Sequence, residues 1–465
     1  MRLSHAPAHT HAIFDDQHTV AYAGLLPVMR LAERCDLAGL AQEHVTIADR
    51  LGVNAPLKIG SIVAGMIAGA DSIDDLDVLR HGGMDKLFAG IRAPSTLGSF
   101  LRCLTWGNVR QIGKVGRRLL ARLAAHTPLL PGVDVLAFLD LDSMQKRIYG
   151  PTKQGAGFGH TKIQGKSLRV RGLNVLASAL STPLAAPVIT ASRLRGGTAN
   201  SARGADTFVT ESINTAREAG ATGILLCRGD AAYYSAKVIG ACRRADVRFS
   251  FTAKMDPKIK AAIAAIPQGA WTPISYPNAI LDEESGQWIS DAEVAETRYT
   301  AFTSKKGQAV TARLIVRRVK RLGEQTDPGH HPCYRYHAVF TDTPYELIQA
   351  EGQHRDHAII EQIFADLISG PLAHLPSGNF AANAAWLALA TISHNLLRAA
   401  GCLSGARCAR ARGATLRRHL IAVPARLARH GRGHITLHLP GHWPWQPAWM
   451  NLFDALRSPP LARAA

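Results

Sequence analysis

The sequence lacks several features that would assign it to a common class of protein. It contains no run of about 18 uncharged apolar residues, which excludes an ordinary membrane-spanning helix. Its first twenty residues lack the apolar core of a signal peptide, so we expect a cytoplasmic protein that is not inserted in a membrane. Its seven cysteines are spread thinly and never form a C-x-x-C pair. We therefore predict reduced, mostly buried thiols rather than a zinc ribbon or a disulfide framework.

Acidic residues are also scarce. Asp and Glu total 35 against 54 Lys and Arg, which gives a formal net charge of +19 on 465 residues. Hydrophobic residues make up 47% of the chain, so the excess positive charge lies on a folded body of two or three domains rather than on a disordered tail. Nucleic acid is the expected partner because its phosphates bind Lys and Arg, and an anionic membrane surface is the second candidate.

Residues 1–130 read as a helical domain, because apolar residues recur there at steps of three and four. A helix start after Pro94 precedes a Gly-containing turn and the basic segment RQIGKVGRRLLAR. This arrangement fits either a helix-turn-helix that binds DNA ends or a helical bundle with a solvated basic face.

After Pro131-Gly132 the pattern changes to short apolar runs typical of strands. The order is three strands, a helix, a strand, a helix and a strand, which predicts an α/β fold with an RNase H-like mixed sheet. The expected divisions of the chain are 131–255 for the first part of this catalytic domain, 256–335 for an insertion with β-strands, 336–400 for the last strand and a Glu-bearing helix, and 401–465 for a basic tail.

Three acidic residues occupy positions where they could meet. Asp142 closes the first strand on the same face as Asp140, Asp230 follows the apolar strand GILLC, and Glu361 lies in a long helix predicted to start at Thr343–Glu346. Each also has a plainer interpretation: a turn residue, a helix N-cap and a partly solvated helix residue, respectively. If the predicted topology brings them together, three carboxylates could hold two Mg²⁺ or Mn²⁺ ions for phosphodiester chemistry.

Several segments resemble a known family. They are LDLDSMQKRIYG from Leu139, then LLCRGDAAYYS, and then the Glu361 helix with its follow-on NFAANAAWLALATISHNLLR. The chain resembles bacterial insertion-sequence transposases of the DDE type, most closely the insertion-sequence family numbered thirteen-eighty. The resemblance implies an RNase H-like catalytic domain with Asp142, Asp230 and Glu361 as catalytic metal ligands.

The chain departs from the family pattern at several positions. Met144 stands where the family has Thr, and Asp140 is a possible substitute or helper for Asp142. His354, His357 and Ile368 stand where related enzymes have Tyr, Arg and Lys. A histidine can still donate hydrogen bonds to a phosphate, so His354 and His357 are candidate helpers, but Ile368 cannot replace an ammonium group.

The resemblance implies DNA transposition by a homodimer that binds terminal inverted repeats and target DNA. A metal-activated water would hydrolyse a phosphodiester at each element end, and the freed 3′-hydroxyl would attack another phosphodiester. Phosphate contacts are expected from RQIGKVGRRLLAR, from KKGQAVTARLIVRRVKR and from the Arg-rich C-terminal segment. The alternative is a catalytically impaired protein that recognises element ends without cutting.

Two other motifs do not hold. The segment GFGHTKIQGKS ends like a phosphate loop, but His160 stands where that loop requires Gly. The cluster of His330, His331, Cys333 and His337 lacks the paired spacing of a structural zinc site, so we interpret it as a polar loop.

Overall fold

The computed structural model describes residues 11–163, 166–200, 202–277, 279–286, 288–304, 306–320 and 334–457. These residues form a mixed α/β structure around one large sheet, with a helical N-terminal region, so the predicted fold class is confirmed. No helix in this described part of the chain is long and apolar enough to cross a membrane.

The N-terminal region is mainly helical, as predicted. In chain order its elements are β1 (Thr19–Val20), α1 (Leu25–Arg34), α2 (Leu37–His44), α3 (Ala55–Ala68), α4 (Met84–Leu87), α5 (Pro94–Cys103) and α6 (Trp106–His126). Helix α6 begins with a capping box, in which the Thr105 side chain accepts from the Asn108 amide and the Asn108 side chain accepts from the Thr105 amide.

The central region alternates strands and helices. Its elements are β2 (Leu136–Arg147), β3 (Gly157–Ile163), β4 (Lys166–Thr182), β5 (Ala185–Arg195), α7 (Ala205–Glu218), β6 (Ile224–Gly229), α8 (Ala236–Arg244) and β7 (Arg248–Thr252). Helix α8 starts five residues later than the helix predicted from Ala231, because Ser235 is the N-cap and accepts from the Val238 amide.

The predicted insertion contains strands that extend the same sheet. Its elements are α9 (Pro257–Ala264), β8 (Thr272–Pro273), β9 (Ile280–Leu281), β10 (Trp288–Ile289), β11 (Ala292–Ala301) and β12 (Val310–Lys320), followed by β13 (Tyr334–Thr341). Strand β13 pairs with β7 and with β12, and β11 pairs with β12 and β8. The insertion therefore widens the sheet rather than standing apart from it.

The remaining elements are helices and a small sheet. They are α10 (Leu347–Arg355), α11 (Ile360–Ile368), α12 (Phe380–Leu403), α13 (Ala406–Ala409), α14 (Gly413–Leu416), β14 (Ala425–Arg429), β15 (Ile435–His438) and α15 (Gln446–Arg457). The predicted basic tail is thus folded up to Arg457. Strand β14 pairs with β1 and β15, while Trp449 and Leu452 of α15 are buried in the apolar core.

The predicted single helix over residues 343–369 is wrong in two respects. It starts at Leu347, with Glu346 at the N-cap and no capping box, and a 3-10 turn (Asp356–Ile359) separates α10 from α11. The turn changes which face is buried: His354 is buried in α10, whereas the next buried position is Ile360. Of the positions expected to share one face, His354 and Phe364 are buried, whereas Glu361 and Ile368 are exposed.

The main sheet has the order β3-β4-β2-β6-β7-β13-β12-β11-β8, and β5 also pairs with β4. Pairs β2–β6 and β6–β7 are parallel, and the other pairs are antiparallel. Strands β5-β4-β2-β6-β7 give the RNase H-like core that the element order predicts. Helix α7 lies on one face, where its Ser212 contacts Ser178 of β4 at 2.7 Å between hydroxyl oxygens. Helices α10 and α11 lie on the other face.

One apolar core connects the helical N-terminal region to the sheet. Helix α12 is almost entirely buried between them, and α3, α5 and α6 pack on it. Residues Arg110 and Arg117 of α6 bind Glu211 of α7. Helix α6 is therefore packed within the body of the molecule, as in the bundle interpretation. The predicted domain boundaries and the DNA-end-binding role of residues 1–130 remain predictions.

Candidate active site

Asp142 and Asp230 are neighbours across two parallel strands. The last register pairs between β2 and β6 are Asp140 with Arg228 and Leu141 with Gly229. The next residue in each strand direction is Asp142 and Asp230. Parallel pairing therefore brings two residues that are far apart in sequence to adjacent positions at the C-terminal end of β6.

Asp230 sits in a turn rather than at a helix start. Strand β6 ends at Gly229, and one carboxylate oxygen of Asp230 accepts from the Ala232 amide at 2.9 Å. The N-cap interpretation of this residue is wrong, because Ser235 caps α8. The side chain of Asp230 is exposed beyond the end of its strand.

Asp142 is largely buried and carries a strongly perturbed carboxyl group. Burial and, to a smaller extent, the negative charges of Asp230 and Glu361 together raise the pKa of Asp142 to about 7. The amide of Ser143 opposes this effect by donating to one carboxylate oxygen at 2.6 Å. The three predicted acids are therefore close enough to repel one another electrostatically.

Glu361 belongs to a helix rather than to the sheet. It lies in the first turn of α11, directly after the 3-10 turn, and its side chain is exposed. Ile363 and Leu367 bury the opposite side of the helix. The phase change at the turn is thus what leaves Glu361 pointing away from the core.

Asp140 is engaged by Arg228 and is not a ready substitute for Asp142. The Arg228 guanidinium donates to both carboxylate oxygens of Asp140, at 2.6 and 2.8 Å, and both side chains are fully buried. The same guanidinium lies 4.0 Å from the ring centre of Phe138 and donates to the carbonyl of Gln353 in α10. The expectation that Asp140 replaces or assists Asp142 as a ligand is not supported by this geometry, because both of its oxygens are already paired.

His354 is a structural residue in this arrangement. Its ring nitrogens lie 2.9 Å from the Ser250 hydroxyl and 3.0 Å from the Thr252 hydroxyl, both on β7. Burial lowers the pKa of His354 to about 3, so the ring is neutral at physiological pH. The predicted phosphate contact by His354 is wrong, since both nitrogens are occupied inside the protein.

His357 and Ile368 differ from His354 in exposure. His357 is half-buried in the 3-10 turn, where its Nδ1 lies 2.8 Å from the His354 carbonyl and therefore donates to it. Ile368 is 43% exposed at the end of α11. His357 thus stays a candidate helper, and no cation takes the place of Ile368 in the helix itself.

Helix α10 is fixed to the sheet by polar contacts. Buried Glu351 binds Arg317 of β12, and it also pairs with Arg355 at 2.9 Å. Together with the His354 and Arg228 contacts, this gives three polar attachments along a helix whose apolar burial is limited to Ala350. The position of Glu361 depends on these attachments, because α10 leads directly into α11.

Sequence reasoning missed two residues around the acids. Arg228 lies in the segment LLCRGDAAYYS, and an arginine inside an apolar strand signals a buried partner. Tyr233 is buried beside Ser143, and the charges of Asp142 and Asp230 together with burial raise the pKa of its phenol. The residues next to Tyr233 in the sequence do not indicate that its side chain lies beside the acids.

The donor chemistry of the three acids suits a hard divalent cation. Carboxylate oxygens are the ligands that Mg²⁺ and Mn²⁺ prefer, and mutual repulsion among carboxylates is relieved when a cation binds. Within the described ranges, no group of three or more His, Cys, Asp or Glu side chains is already arranged around a metal position. The residues fit a metal site by their type and their electrostatic coupling.

The structure describes part of each of the two motifs that the sequence analysis rejected. GFGHTKIQGKS falls on the antiparallel strands β3 and β4, not on a strand followed by a helix, so it is not a phosphate loop. His330, His331 and Cys333 lie outside the described residues. His337 lies in β13, where burial lowers its pKa.

Comparison with known proteins gives one result that covers the chain. The family model described as transposase DDE domain group 1 matches residues 8–460. A search of curated proteins gives no significant match.

Proposed function

Because the chain belongs to the family of transposase DDE domains, we propose that it cleaves phosphodiesters at the ends of an insertion sequence and transfers the freed 3′-hydroxyl strands to target DNA. The catalytic metal ligands in this proposal are Asp142, Asp230 and Glu361. The insertion-sequence family numbered thirteen-eighty is the group proposed for it.

One observation carries the assignment of residues. The pKa of Asp142 is raised to about 7 by burial and by the charges of Asp230 and Glu361. These acids come from a strand interior, a strand end and a helix start that are far apart in the sequence. A carboxyl group with a strongly raised pKa beside acids from distant elements is typical of a catalytic site, and the family match supplies the reaction class.

Backbone amides orient two of the three candidate ligands. The Ser143 and Ala232 amides fix one oxygen each on Asp142 and Asp230, which orients the two carboxylates. Asp142 must lose its proton before it can act as a ligand. When bound at these acids, two Mg²⁺ or Mn²⁺ ions would supply an activated water and stabilise the leaving oxygen of the phosphodiester.

The partners in this proposal are double-stranded DNA and a second copy of the chain. The net charge of +19 favours phosphate contacts, and the joining of two ends requires two active sites in one complex. We place DNA-end binding in the helical region 1–130 and in the basic C-terminal segment, and catalysis in 131–255 with 336–400. Its working location is the bacterial cytoplasm.

A second candidate function is DNA-end binding without cleavage. It is favoured by exposed Ile368 and buried His354, which stand where related enzymes carry a phosphate-contacting Lys and a Tyr. Cleavage needs only the three acids and a held strand, so the two candidates differ in a single measurable activity.

The experiment compares cleavage and binding on labelled duplexes that carry the element's own ends, with Mg²⁺ or Mn²⁺ present. We expect the wild type to cut, and we expect Asp142→Asn, Asp230→Asn and Glu361→Gln each to lower cutting by at least about 10³-fold while retaining binding. Matched controls are the exposed residues Asp134→Asn and Glu283→Gln, which should cut normally. Binding without any wild-type cutting would favour the second candidate, and normal cutting by any of the three acid variants would remove that acid from the site.

A further inference from the structure

The chain that follows Asp142 is unusually free of acidic residues. No Asp or Glu occurs between Asp142 and Asp206. The Lys and Arg residues in this interval are Lys146, Arg147, Lys153, Lys162, Lys166, Arg169, Arg171, Arg193, Arg195 and Arg203. A long stretch of one charge sign beginning at a candidate catalytic acid indicates a surface that meets a polyanion.

Strand register places part of this charge on the face that carries Asp142. Asp142 pairs with Ala177 of β4, and the pairing between β2 and β4 runs without a register shift. Side chains two apart share a face, so Arg171 and Arg169 of β4 lie on the Asp142 face. On the neighbouring strand β3, Phe158 pairs with Arg171 and His160 pairs with Arg169. We call Phe158, His160, Arg169 and Arg171 the hairpin surface.

The side chains of the hairpin surface are held in defined positions. Arg171 donates to the carbonyls of Gly150 and Pro151, at 2.5 and 2.8 Å. The guanidinium of Arg169 lies 6.0 Å from the ring centre of Phe158, which is 56% exposed. Among the described residues, neither arginine forms a salt bridge with an acid. Their charge is therefore available to an external anion.

The hairpin surface lies some distance from Asp142 along strand β4. Six residues of β4 separate Ala177, opposite Asp142, from Arg171. At about 3.4 Å per residue this is roughly 20 Å along the strand. Val175 and Leu173, which lie between these two positions on this face, are fully buried, so a duplex would bridge the covered stretch rather than lie along it. At about 3.4 Å per base pair, Arg171 would meet the duplex roughly six base pairs from the cleaved bond.

We propose that the hairpin surface is a phosphate-binding track for double-stranded DNA leading to Asp142. This inference rests on the proposed function, because the track is defined relative to the cleaved bond. Arg169 and Arg171 contact phosphates, His160 adds a hydrogen bond, and the Phe158 ring orients Arg169 and packs against the sugars. The contacts are sequence-independent and position the duplex rather than select it.

The test measures the affinity of the full-length protein for a fluorescein-labelled 40-base-pair duplex of random sequence over a range of salt concentrations. Each phosphate contact contributes about 0.9 to the slope of log K against log salt. We expect Arg169→Ala to reduce the slope by about 1 and Arg169→Ala with Arg171→Ala to reduce it by about 2. The single variant removes no internal hydrogen bond that the structure records, so it remains informative if the loop held by Arg171 is disturbed.

The matched control removes the same charge from the opposite face. Arg243 and Arg244 are exposed on α8, which packs with α7 on the face away from Asp142. Arg243→Ala with Arg244→Ala should leave the slope within about 0.5 of the wild type. An unchanged slope in both hairpin variants, or an equal loss in the control, would overturn the proposal. Vesicles of phosphatidylserine and phosphatidylcholine form a further arm, and binding to vesicles with no binding to the duplex would also overturn it.

A cleavage assay on element ends separates this inference from the proposed function. If the wild type cuts and both hairpin variants keep the wild-type salt slope, the track is wrong and the transposase assignment stands. If the wild type binds but never cuts, and the slope falls as expected, the surface stands and the cleavage proposal fails.

Discussion

The guanidinium of Arg228 binds the carboxylate of Asp140 through two parallel hydrogen bonds of 2.6 and 2.8 Å. Asp140 lies two residues before one candidate ligand, and Arg228 lies two residues before another. The third nitrogen of the group donates to the Gln353 carbonyl, in the helix that leads to Glu361. One buried side chain of β6 thus contacts β2, which carries Asp142, and α10, which leads into the helix that carries Glu361. We assign Arg228 a positioning role.

Arg228→Lys should impair cleavage more than stability. Lysine keeps the charge but cannot form the two-pronged contact with Asp140 and also reach Gln353. A displacement of about 1 Å can lower a rate by about 10²-fold, so we expect 10- to 100-fold slower cutting and a higher Mn²⁺ concentration for half-maximal rate. DNA affinity should be unchanged. The control is Arg318→Lys, because Arg318 forms a similar buried pair with Glu293 at 2.6 Å in the insertion.

The double variant Asp140→Leu with Arg228→Met distinguishes positioning from stability alone. Replacing both partners of a buried pair with apolar residues is often neutral or stabilising, whereas removing one costs about 3–5 kcal/mol. We expect the double variant to unfold in urea near the wild-type midpoint. It should still bind Mn²⁺ more weakly than the wild type, which is measured by the Mn²⁺ concentration that displaces half of the bound luminescent Tb³⁺. Wild-type metal affinity and cutting in a stable double variant would show that the pair only stabilises the fold.

Asp142→Asn should stabilise the protein when no divalent metal is present. In the wild type, burial and the charges of Asp230 and Glu361 oppose ionisation of Asp142. The rise of its pKa from 3.8 to about 7 sets an upper limit of about 4 kcal/mol on the gain above pH 7. Urea unfolding in EDTA at pH 8 measures it, with Asp134→Asn as the control. A less stable Asp142→Asn protein would contradict the proposed repulsion.

The same shift fixes the sign of the pH dependence. Between about pH 4 and pH 7 the native Asp142 carboxyl keeps a proton that the unfolded chain has already lost. The native state therefore binds more protons than the unfolded state in this window, so the contribution of Asp142 to the free energy of unfolding falls as the pH rises. Above about pH 7 this contribution is constant. The stability difference between Asp142→Asn and the wild type should accordingly shrink towards zero as pH is lowered from 8 to 4.

His354→Ala should destabilise the fold and leave no specific mark on DNA affinity. It removes both ring contacts to Ser250 and Thr252 and opens a cavity, at a cost of roughly 2–4 kcal/mol. With a native pKa of about 3 against 6.5 in the unfolded chain, the wild-type ring lowers stability as pH falls from about 6.5 to 3. Urea titrations at pH 7 and pH 5 should show this acid sensitivity weakened in the variant, and His438→Ala, an exposed histidine, should behave as wild type.

Asn395→Leu should be among the costlier single changes in α12. Its amide group accepts from the Ile189 backbone amide at 2.9 Å and donates to the Ile189 carbonyl at 2.8 Å. Leucine fills a similar volume but leaves two buried backbone groups of β5 unpaired, which costs roughly 2–5 kcal/mol. The midpoint of urea unfolding should fall, while exposed Asn214→Leu should not change it measurably.

The catalytic core could be predicted because its signals are local. The Pro131-Gly132 turn and the short apolar runs after it mark the strands of the RNase H-like order. Strand β2 nevertheless continues past Asp142 to Arg147, because the polar residues there pair with β4. Local composition cannot reveal a partner strand that begins some twenty residues later.

The polar core of the site could not be predicted in the same way. The contact between Asp140 and Arg228 depends on the register of β2 against β6, which neither segment encodes alone. His354 likewise reads as an exposed helical histidine until β7 supplies its two hydroxyl partners. The predicted helix start is too early because Thr343 and Glu346 have the spacing of a capping box. In the structure Thr343 is buried beside β13, and the helix starts at Leu347.

The scarcity of apolar contacts beneath α10 has a consequence for how the site assembles. Elements held by few apolar side chains open more often than the rest of a fold, in sub-global fluctuations that do not unfold the whole protein. Amide protons of α10 should therefore exchange with deuterium well before those of α12, and bound DNA should slow them. Binding of DNA would then order α10 and, through it, the start of α11, where Glu361 lies.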